Sequence, residues 1–531
     1  MKQRNNILTS LLIMAVAIFT ACNKDLDRKP LNSTTAEVQY STPGGFKEVL
    51  AKVYGSYSLV SSTGVGNSDV NVAGISDAGT TDFVRAYWNM QELTTDEGIC
   101  AWNDGYLQNF HNLNWTSSNT YLNALYTRSL FQITVCNEFI RQSADNIVSG
   151  KGFSSSDVAN IRHYKAEARF LRAYQYWVLM DLFGNPPFVT EADPIGKYIP
   201  KRITRKNLFA YVESELKAID TSLVAPRQNE YGRADRGAAW ALLGRLYLNA
   251  QVYTGTDRSA DAITYASKVI GGGYTLMPKY KNLFMADNNL NNTEIILPIA
   301  YDAANSSNYG GTTFLICSAH SSDVTEDKAY GITGGGWLGN RATQKLPLVF
   351  SDYSGNTDKR AMFGTNPLAI NSVLNFVEGP SVWKFSNVNS DGTLPYSPNG
   401  VLVSTDFPLF RMAEMYLTYI EAVKRGGTGG SDAIALTYFN KLRERAYGNT
   451  SGDVSSYTLD DVLNERQREL YWEGFRRTDL IRFNYFTSGT YLWPWKAGVA
   501  AGTGVDSHYA LYPIPSTDIL SNTNLIQNPG Y

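Results

Sequence analysis

Apolar residues recur every three to four positions in several stretches of the chain, which is the pattern of amphipathic helices. The N-terminal half contains four such stretches: Asn160 to Phe183, Leu208 to Leu223, Asp235 to Tyr253 and Ser259 to Ile270. The C-terminal part contains three more: Phe410 to Arg425, Ser431 to Tyr447 and Leu459 to about Phe483. The first stretch ends at a Gly-Asn-Pro-Pro sequence, as a helix stop should. The pattern therefore predicts a mainly α protein.

Two pairs of these helices are predicted to form hairpins. Four residues of the third stretch match the W-x₂-L-G-x₂-Y half of a tetratricopeptide repeat: Trp240, Leu243, Gly244 and Tyr247. Its partner helix, Ser259 to Ile270, is closed by three glycines, and Gly-Gly-Thr-Gly-Gly joins the second pair. The spacing predicts a tetratricopeptide-like scaffold of helical hairpins, at about 120–285 and 408–485.

The composition and periodicity of the sequence change between the hairpins. Residues 64–119 and 288–408 are rich in Gly, Asn, Ser, Pro and aromatic residues and show little periodicity. The whole chain is 13% aromatic, with 34 Tyr and 10 Trp. Tyr and Trp combine a flat apolar face with a polar tip, which suits ligands that have apolar faces and many hydroxyls, such as sugars. We expect these two insertions to form the ligand-binding face, because binding residues concentrate on loops held by a rigid scaffold.

The N-terminus has the features of an export signal. Lys2 and Arg4 precede an apolar run, and Thr20-Ala21 stand immediately before Cys22. Residues 1–21 are predicted to be a lipoprotein signal peptide, with Cys22 acylated and residues 22–35 forming a lipidated tether to a single domain, 36–531. The alternative is a plain secretory signal with a chance cysteine. Several acyl chains would anchor a soluble domain to a membrane without a spanning helix.

Composition excludes several classes of function. The formal net charge is −2 without basic or acidic blocks, which argues against nucleic acid as a partner. The four histidines are isolated, and neither HExxH nor CxxC occurs, so a zinc site is not expected. No GxxxxGK[ST] phosphate-binding loop is present. Beyond Cys22 three cysteines remain, an odd number that no disulfide framework can use completely.

The segment TDEGICAWNDG, from Thr95 to Gly105, concentrates carboxylates around a tryptophan. Asp96, Glu97 and Asp104 are candidates for the paired carboxyl groups of a glycoside hydrolase, whose separation cannot be read from a sequence. The alternative is that Asp96 and Glu97 are solvated or cap a short helix. A surface glycoside hydrolase therefore stays open as one function.

A second charged segment, RELYWEGFRRTDLIRF, lies on the predicted helix that ends near Phe483. Opposite charges three or four residues apart meet along one face of a helix. The charged set comprises Glu469, Glu473, Arg476, Arg477, Asp479 and Arg482. We interpret it as a salt-bridged helix with four apolar residues packed inward: Leu470, Trp472, Leu480 and Ile481.

Several motifs resemble the SusD/RagB family, the outer-membrane glycan-binding lipoproteins of Bacteroidetes. They are ER-x₂-EL from Glu465, EG-x-R-x₂-DL-x-R from Glu473, AEARFLRA from Ala166, and an ending that runs from YPIP to QNPGY. The resemblance covers Cys22 to Tyr531 and implies a SusD-like fold. It also implies a protein that is not an enzyme.

The likeness is sharper to the starch-binding branch of that family, through QELTTDEGICAW, NYGG, NLFMADN and EIILPI. In that branch an aromatic arc cradles a turn of an α-glucan, and the matching positions are Trp102, Tyr309 and Trp337. The resemblance assigns the gripping of sugar hydroxyls to Asp77 and Arg85. A further polar contact of the branch falls near Gly105, where this chain has no side chain; Asn103 or Asp104 is the expected substitute. The loop after Trp337 is shorter than in the branch.

The resemblance also implies partners and a location. Such proteins lie on the outer face of the outer membrane and form a lid on a TonB-dependent, SusC-like transporter that imports the oligosaccharide. The implied ligand is starch or maltooligosaccharide; the alternatives are another glycan such as levan or xylan, or a mainly structural lid. No cofactor is required, and a structural Ca²⁺ is expected near Asp287 in ADNNLNN.

Overall fold

The computed structural model describes residues 35–196, 198–321 and 329–531. The predicted signal peptide and the lipidation site Cys22 lie outside the described residues. The α-helices of the first half are α1 (Ala36–Gln39), α2 (Pro43–Ser58), α3 (Phe83–Glu92), α4 (Gly105–Asn112), α5 (Thr120–Gln142), α6 (Asp145–Ser149), α7 (Ser155–Leu182), α8 (Arg205–Ala218), α9 (Arg236–Leu248), α10 (Ala250–Thr254) and α11 (Ser259–Ile270). Those of the second half are α12 (Gly311–Cys317), α13 (Lys345–Leu348), α14 (Met412–Lys424), α15 (Asp432–Tyr447), α16 (Leu459–Leu470), α17 (Arg476–Arg482) and α18 (Ser516–Ser521).

Short strands form three antiparallel pairs in the described chain. The strands are β1 (Gly98–Cys100), β2 (Pro187–Phe188), β3 (Lys201–Arg202), β4 (Ile295–Ile299), β5 (Asn340–Ala342) and β6 (Phe407–Arg411). They pair as β1 with β5, β2 with β3 and β4 with β6. Pairs of two strands cannot form a core by themselves, so the helices provide it, and the prediction of a mainly α fold is confirmed.

Most of the predicted helices are present. α11 has the predicted bounds, and α14 and α15 begin and end within two residues of them. α8 stops at Ala218, earlier than Leu223, and the predicted helix from Asp235 to Tyr253 is interrupted at Asn249, between α9 and α10. Serine, threonine and aspartate cap several N-termini; Ser154, for example, accepts a hydrogen bond from the Asp157 amide at the start of α7.

The two predicted hairpins contact each other. α11 packs against both α9 and α14, so the first hairpin lies on the second. Gly244 of the repeat motif lies at this junction, where a Cβ would come 3.6 Å from Sδ of Met415 and 3.8 Å from the amide nitrogen of Ala266. A small residue at this position allows three helices to approach closely.

The prediction of one long helix from Leu459 to Phe483 is wrong. The chain breaks between α16 and α17, where Trp472 and Gly474 have φ values of +64° and +82°. The amides released there donate to buried carboxylates: Trp472 to Oε2 of Glu97 at 3.1 Å, and Gly474 to Oε1 of Glu92 at 2.6 Å. Two acceptors from a distant part of the chain therefore replace the carbonyls that a continuous helix would have used.

The interpretation of a single charged helix face is also wrong, because the break directs these side chains towards different partners. Arg411 pairs with Glu469 at 2.6 Å and with Glu473 at 2.7 Å, and all three side chains are buried. Burial alone would raise the pKa of Glu469, but Arg445, Arg411 and Arg360 hold that pKa below its ordinary value. Leu470, Trp472 and Leu480 are buried as expected, and Ile481 is half-buried.

The two predicted insertions meet in the β1–β5 pair. Gly98 lies opposite Ala342, and Cys100 lies opposite Asn340. Residues 64–119 are more regular than predicted, since they contain α3 and α4. Cys100, Cys136 and Cys317 are all buried. Within the described chain, no helix combines the length and the apolar character that crossing a bilayer requires.

Candidate functional site

Trp102 directly follows β1 and is held from several sides. The amide of Ala101 donates to the carbonyl of Gly339 at 2.8 Å, and Nε2 of Gln108 donates to the carbonyl of Trp102 at 2.5 Å. The indole packs edge-on against Phe314, with ring centroids 6.0 Å apart and planes inclined by 62°. The ring is half-buried, so it is positioned by the protein while part of it stays accessible.

Tyr309 and Trp337 form a tilted pair of half-buried rings. Their centroids are 6.3 Å apart and their planes are inclined by 53°. The Trp337 amide donates to the carbonyl of Cys317 at 2.6 Å, which fixes this segment on the end of α12. The hydroxyl of Tyr309 accepts a hydrogen bond from Nδ2 of Asn399 at 3.3 Å. Both rings are therefore held by contacts outside the pair.

Arg85 connects two of the three aromatic residues, Trp102 and Tyr309. Its Nη1 donates to the carbonyl of Tyr309 at 3.3 Å, and its Cζ lies 5.9 Å from the centroid of the Trp102 ring. The same Nη1 donates to Oδ2 of Asp77 at 2.6 Å. The side chain of Arg85 is only 8% exposed, whereas that of Asp77 is 49% exposed. A buried guanidinium thus fixes a carboxylate whose remaining acceptor capacity faces solvent.

The carboxylate of Asp82 links α3 to the NYGG segment. It caps α3 by accepting from the Arg85 amide at 3.0 Å, and it also accepts from the Gly311 amide at 2.8 Å and from Nδ2 of Asn308 at 3.0 Å. A Cβ at Gly310 would lie 2.2 Å from the Cβ of Asp82. The NYGG motif therefore provides the close approach that places Tyr309 beside α3.

The edge of the site at Asn103 and Asp104 is open. Both residues are exposed, and Asp104 is the N-cap of α4 without a capping bond from its side chain. A Cβ added at Gly105 would meet no described atom within 4 Å. The structure thus gives either side chain room to replace the contact that Gly105 lacks, and this role stays a prediction.

Asp96 and Glu97 lie in the core, which corrects both interpretations made from the sequence. They are neither solvated nor helix caps, and a substrate cannot reach them, because Asp96 is 0% and Glu97 1% exposed. Asp96 takes a bidentate ion pair from Arg476, at 2.7 and 2.8 Å. Burial would raise the pKa of Asp96, but Arg476 holds it below the ordinary value. Burial and the neighbouring Glu92 raise the pKa of Glu97 well above its ordinary value.

Asp287 lies apart from the aromatic residues. Its two carboxylate oxygens accept from the backbone amide of Ser390 at 2.8 Å and from its hydroxyl at 2.5 Å. Among the described residues, no group of three or more His, Cys, Asp or Glu side chains is placed to hold a metal ion. The surroundings of Asp287 thus add no support for calcium, which stays a prediction.

The structure brings together five of the predicted residues: Trp102, Tyr309, Trp337, Arg85 and Asp77. Sequence reasoning missed Phe314, which lies beneath both Trp102 and Arg85, and Asn399, which holds the Tyr309 hydroxyl. Phe314 follows the NYGG motif by three residues in an apolar run, so its burial was readable, but its contacts were not. Asn399 carries no local signal.

The helical scaffold thus brings Trp102, Tyr309 and Trp337 together as half-buried rings and buries Asp96 and Glu97 in the core. Residues 371–531 match the family profile described as "SusD family", and residues 71–248 match the profile described as "Starch-binding associating with outer membrane". The chain is 35% identical over 564 residues to the starch-binding protein SusD of Bacteroides thetaiotaomicron, covering 96% of each chain. The chain therefore belongs to the SusD family of non-catalytic glycan-binding proteins, as its motifs predicted.

A further relative agrees with this family, and solved structures agree with this fold. A SusD-like protein of Bacteroides ovatus is 27% identical over 344 residues, 60% of this chain and 58% of that protein. A SusD superfamily structure from B. thetaiotaomicron superposes with a TM-score of 0.70 at 21% identity, over 92% of this chain and all of that one. Surface glycan-binding protein A from the same species, solved with laminarihexaose, also gives 0.70, at 18% identity over 91% and 99% of the two chains.

Proposed function

We propose that this protein binds starch and maltooligosaccharides at the arc formed by Trp102, Tyr309 and Trp337, without cleaving them. The observation that carries the proposal is the 53° inclination between Tyr309 and Trp337. Aromatic faces stack on the C–H faces of glucose and gain stability by removing apolar area from water. A straight glycan presents nearly parallel faces, whereas an α-glucan turns as it proceeds. Inclined rings therefore favour the curved polymer.

Polar groups at the arc add orientation to the stacking. Asp77 is exposed and already fixed by Arg85, so it can accept hydrogen bonds from glucose hydroxyls without first losing much rotational freedom. Arg85 is nearly buried, and we assign it a contact to one hydroxyl at the base of the arc. Asn103 and Asp104 border the same surface and supply the remaining polar edge.

Three other functions were open from the sequence: a hydrolase, a protein that binds another glycan, and a mainly structural lid. A hydrolase would need an accessible pair of carboxyl groups, but two of its three candidates, Asp96 and Glu97, are buried in ion-pair and carboxyl contacts. Binding of levan, xylan or another glycan on the same fold and a mainly structural lid are the remaining alternatives, and the absence of any glycan binding would favour the lid. The laminarihexaose complex of a distant structural neighbour shows that the fold serves other glycans in other proteins.

The location and partner that we propose follow from the same family. The export signal before Cys22, the profile that names association with the outer membrane, and the relative covering 96% of the chain support a surface lipoprotein. We assign it the delivery of bound oligosaccharide to a SusC-like, TonB-dependent transporter. Mass spectrometry of the mature N-terminus tests acylation of Cys22; an unmodified residue 22 contradicts it.

Isothermal titration calorimetry tests the ligand. Maltoheptaose and α-cyclodextrin should bind, and oligosaccharides of levan and xylan should bind at least about tenfold more weakly, which is about 1.4 kcal/mol. Laminarihexaose serves as a further comparison. Absence of binding to both α-glucans would end the proposal. A parallel incubation with amylopectin should release no new reducing ends, and release that disappears in Asp104→Ala would contradict a purely binding role.

A further inference from the structure

A cavity of about 410 Å³ lies beside the aromatic arc. This volume is within the range of pockets that hold small-molecule ligands, about 300–1,000 Å³. Three separate segments line it, 59–65, 303–308 and 398–402, and none of the individual predicted site residues is among the lining residues. The cavity therefore requires an explanation of its own.

The cavity and the arc share one wall. Asn308 and Pro398 line the cavity, and Tyr309 and Asn399 are the next residues along the chain. Nδ2 of Asn399 donates a hydrogen bond of 3.3 Å to the Tyr309 hydroxyl. Asn399 is itself fixed, because its Oδ1 accepts from the amides of Val401 at 3.0 Å and Leu402 at 2.9 Å. The cavity therefore begins within one residue of the hydrogen bond between Tyr309 and Asn399.

The lining indicates the chemistry of the occupant. None of the described residues that line this cavity is charged, whereas another hollow near α2, of about 300 Å³, is bordered by Lys47, Glu230 and Arg233. Apolar and neutral polar side chains are mixed in the lining, for example Val60, Val65 and Leu402 beside Ser62, Asn305 and Ser307. An ionic ligand would lose hydration there without gaining a counter-charge, so a neutral polyhydroxylated ligand fits best.

We propose that this cavity is a further sugar-binding subsite, which holds the glucose residues of a long α-glucan that extend past Tyr309. The proposal rests on the proposed function of the arc. It adds that affinity depends on chain length, because a short or cyclic glucan fills the arc alone, while a longer linear chain contacts both the arc and the cavity. The two segments of one chain then bind together, and the second gains from its high effective concentration.

Two exposed lining residues, on two different segments, allow the cavity to be filled by substitution. Ala304 and Ser62 are both exposed, so Ala304→Met and Ser62→Met leave the core intact. Methionine extends into the cavity without offering a flat ring to a sugar. Ala433→Met, an exposed alanine of α15 that does not line the cavity, is the matched control.

Calorimetry with maltodecaose and α-cyclodextrin distinguishes the outcomes. Each filling variant should weaken maltodecaose binding about five- to tenfold, and the double variant should weaken it more. The affinity of these variants for α-cyclodextrin should stay within twofold of wild type. The control variant should bind both glucans within twofold of wild type. Unchanged maltodecaose affinity in the folded double variant overturns the subsite but leaves the arc intact. Failure of the wild type to bind either glucan overturns the proposed function, and the subsite with it.

Discussion

Gly339 lies directly against the indole of Trp102. A Cβ atom at Gly339 would come 2.4 Å from Nε1 of Trp102, and Gly339 has a φ of +111°, a conformation that residues with side chains rarely adopt. Its carbonyl accepts from the amide of Ala101, so the glycine contacts both the backbone before Trp102 and its ring. The loop that contains Trp337 and Gly339 therefore positions the indole ring of Trp102.

Replacement of this glycine should therefore weaken glucan binding without removing any group that touches the ligand. We expect Gly339→Ala to shift the Trp102 ring and to lower maltoheptaose affinity about tenfold, with a changed tryptophan fluorescence spectrum. Gly105→Ala is the control, because a Cβ there meets no described atom within 4 Å and its φ is not positive. Equal affinities for the two variants would show that Gly339 does not position the ring.

Arg85→Lys should lower the affinity for maltoheptaose while the protein stays folded. Lysine keeps the positive charge but lacks the guanidinium plane, whose Nη1 donates to both Asp77 and the Tyr309 carbonyl and whose Cζ lies 4.8 Å from the centroid of the Phe314 ring. Loss of one hydrogen bond to a charged group costs about 1.5–3 kcal/mol, so we expect roughly a tenfold or greater loss in calorimetry. Arg162→Lys changes an arginine that is 60% exposed and should have no effect.

Asp96→Asn should destabilise the fold. It leaves the Arg476 guanidinium buried beside a neutral amide, and breaking a buried pair from one side costs about 3–5 kcal/mol. A differential scanning calorimeter should record a clearly lower Tm. The exposed residue Asp104 provides the control, since Asp104→Asn should leave Tm unchanged. A Tm close to wild type for Asp96→Asn would mean that the ion pair contributes little to stability.

The buried pair of Glu92 and Glu97 predicts a pH dependence of stability. Burial and Glu92 raise the pKa of Glu97 in the folded protein, so its contribution is complete below the unfolded pKa, about 4.3, and is lost as pH rises through the folded value. Burial also raises the pKa of Glu92, to about 7. Glu97→Gln removes this titration and keeps an acceptor for the Trp472 amide.

The gain in Tm of Glu97→Gln over wild type should therefore be larger at pH 8 than at pH 5. The Asp96 carboxylate acts in the opposite sense, because Arg476 lowers its pKa and its contribution is lost only as pH falls. Glu48→Gln, an exposed glutamate of α2, is the control and should show no such difference. A pH-independent effect of Glu97→Gln would contradict a raised pKa of Glu97 in the folded protein.

Local patterns predicted the helices well where a helix depends on its own sequence. The bounds of α11 follow from its apolar spacing and the glycines after it. The break after α16 could not be predicted from its local sequence. It depends on the carboxylates of Glu92 and Glu97, which lie more than 370 residues earlier and accept hydrogen bonds from the amides of Gly474 and Trp472. The burial of Asp96 could not be predicted either, because its partner Arg476 lies 380 residues away in the sequence.

The candidate site shows the same division. No periodicity singles out Trp102, Tyr309 or Trp337 among the many aromatic residues, and only the family resemblance did so. Neither periodicity nor the resemblance predicted the hydrogen bond from Arg85 to Tyr309, the packing of Arg85 on Phe314, or the cavity near Tyr309. Each of these depends on contacts between segments that are distant in sequence.

Binding of α-cyclodextrin to Trp102→Ala and Trp337→Ala decides whether the inclined rings are a glucan platform. Both rings are half-buried, so their loss should lower Tm by only a few degrees. We predict that each variant binds at least about thirtyfold more weakly than wild type, which is about 2 kcal/mol. Tyr353→Ala, an exposed aromatic outside the arc, should bind as wild type does. Wild-type affinity in both arc variants, with folding confirmed, would contradict the assignment of this surface as the glycan-binding site.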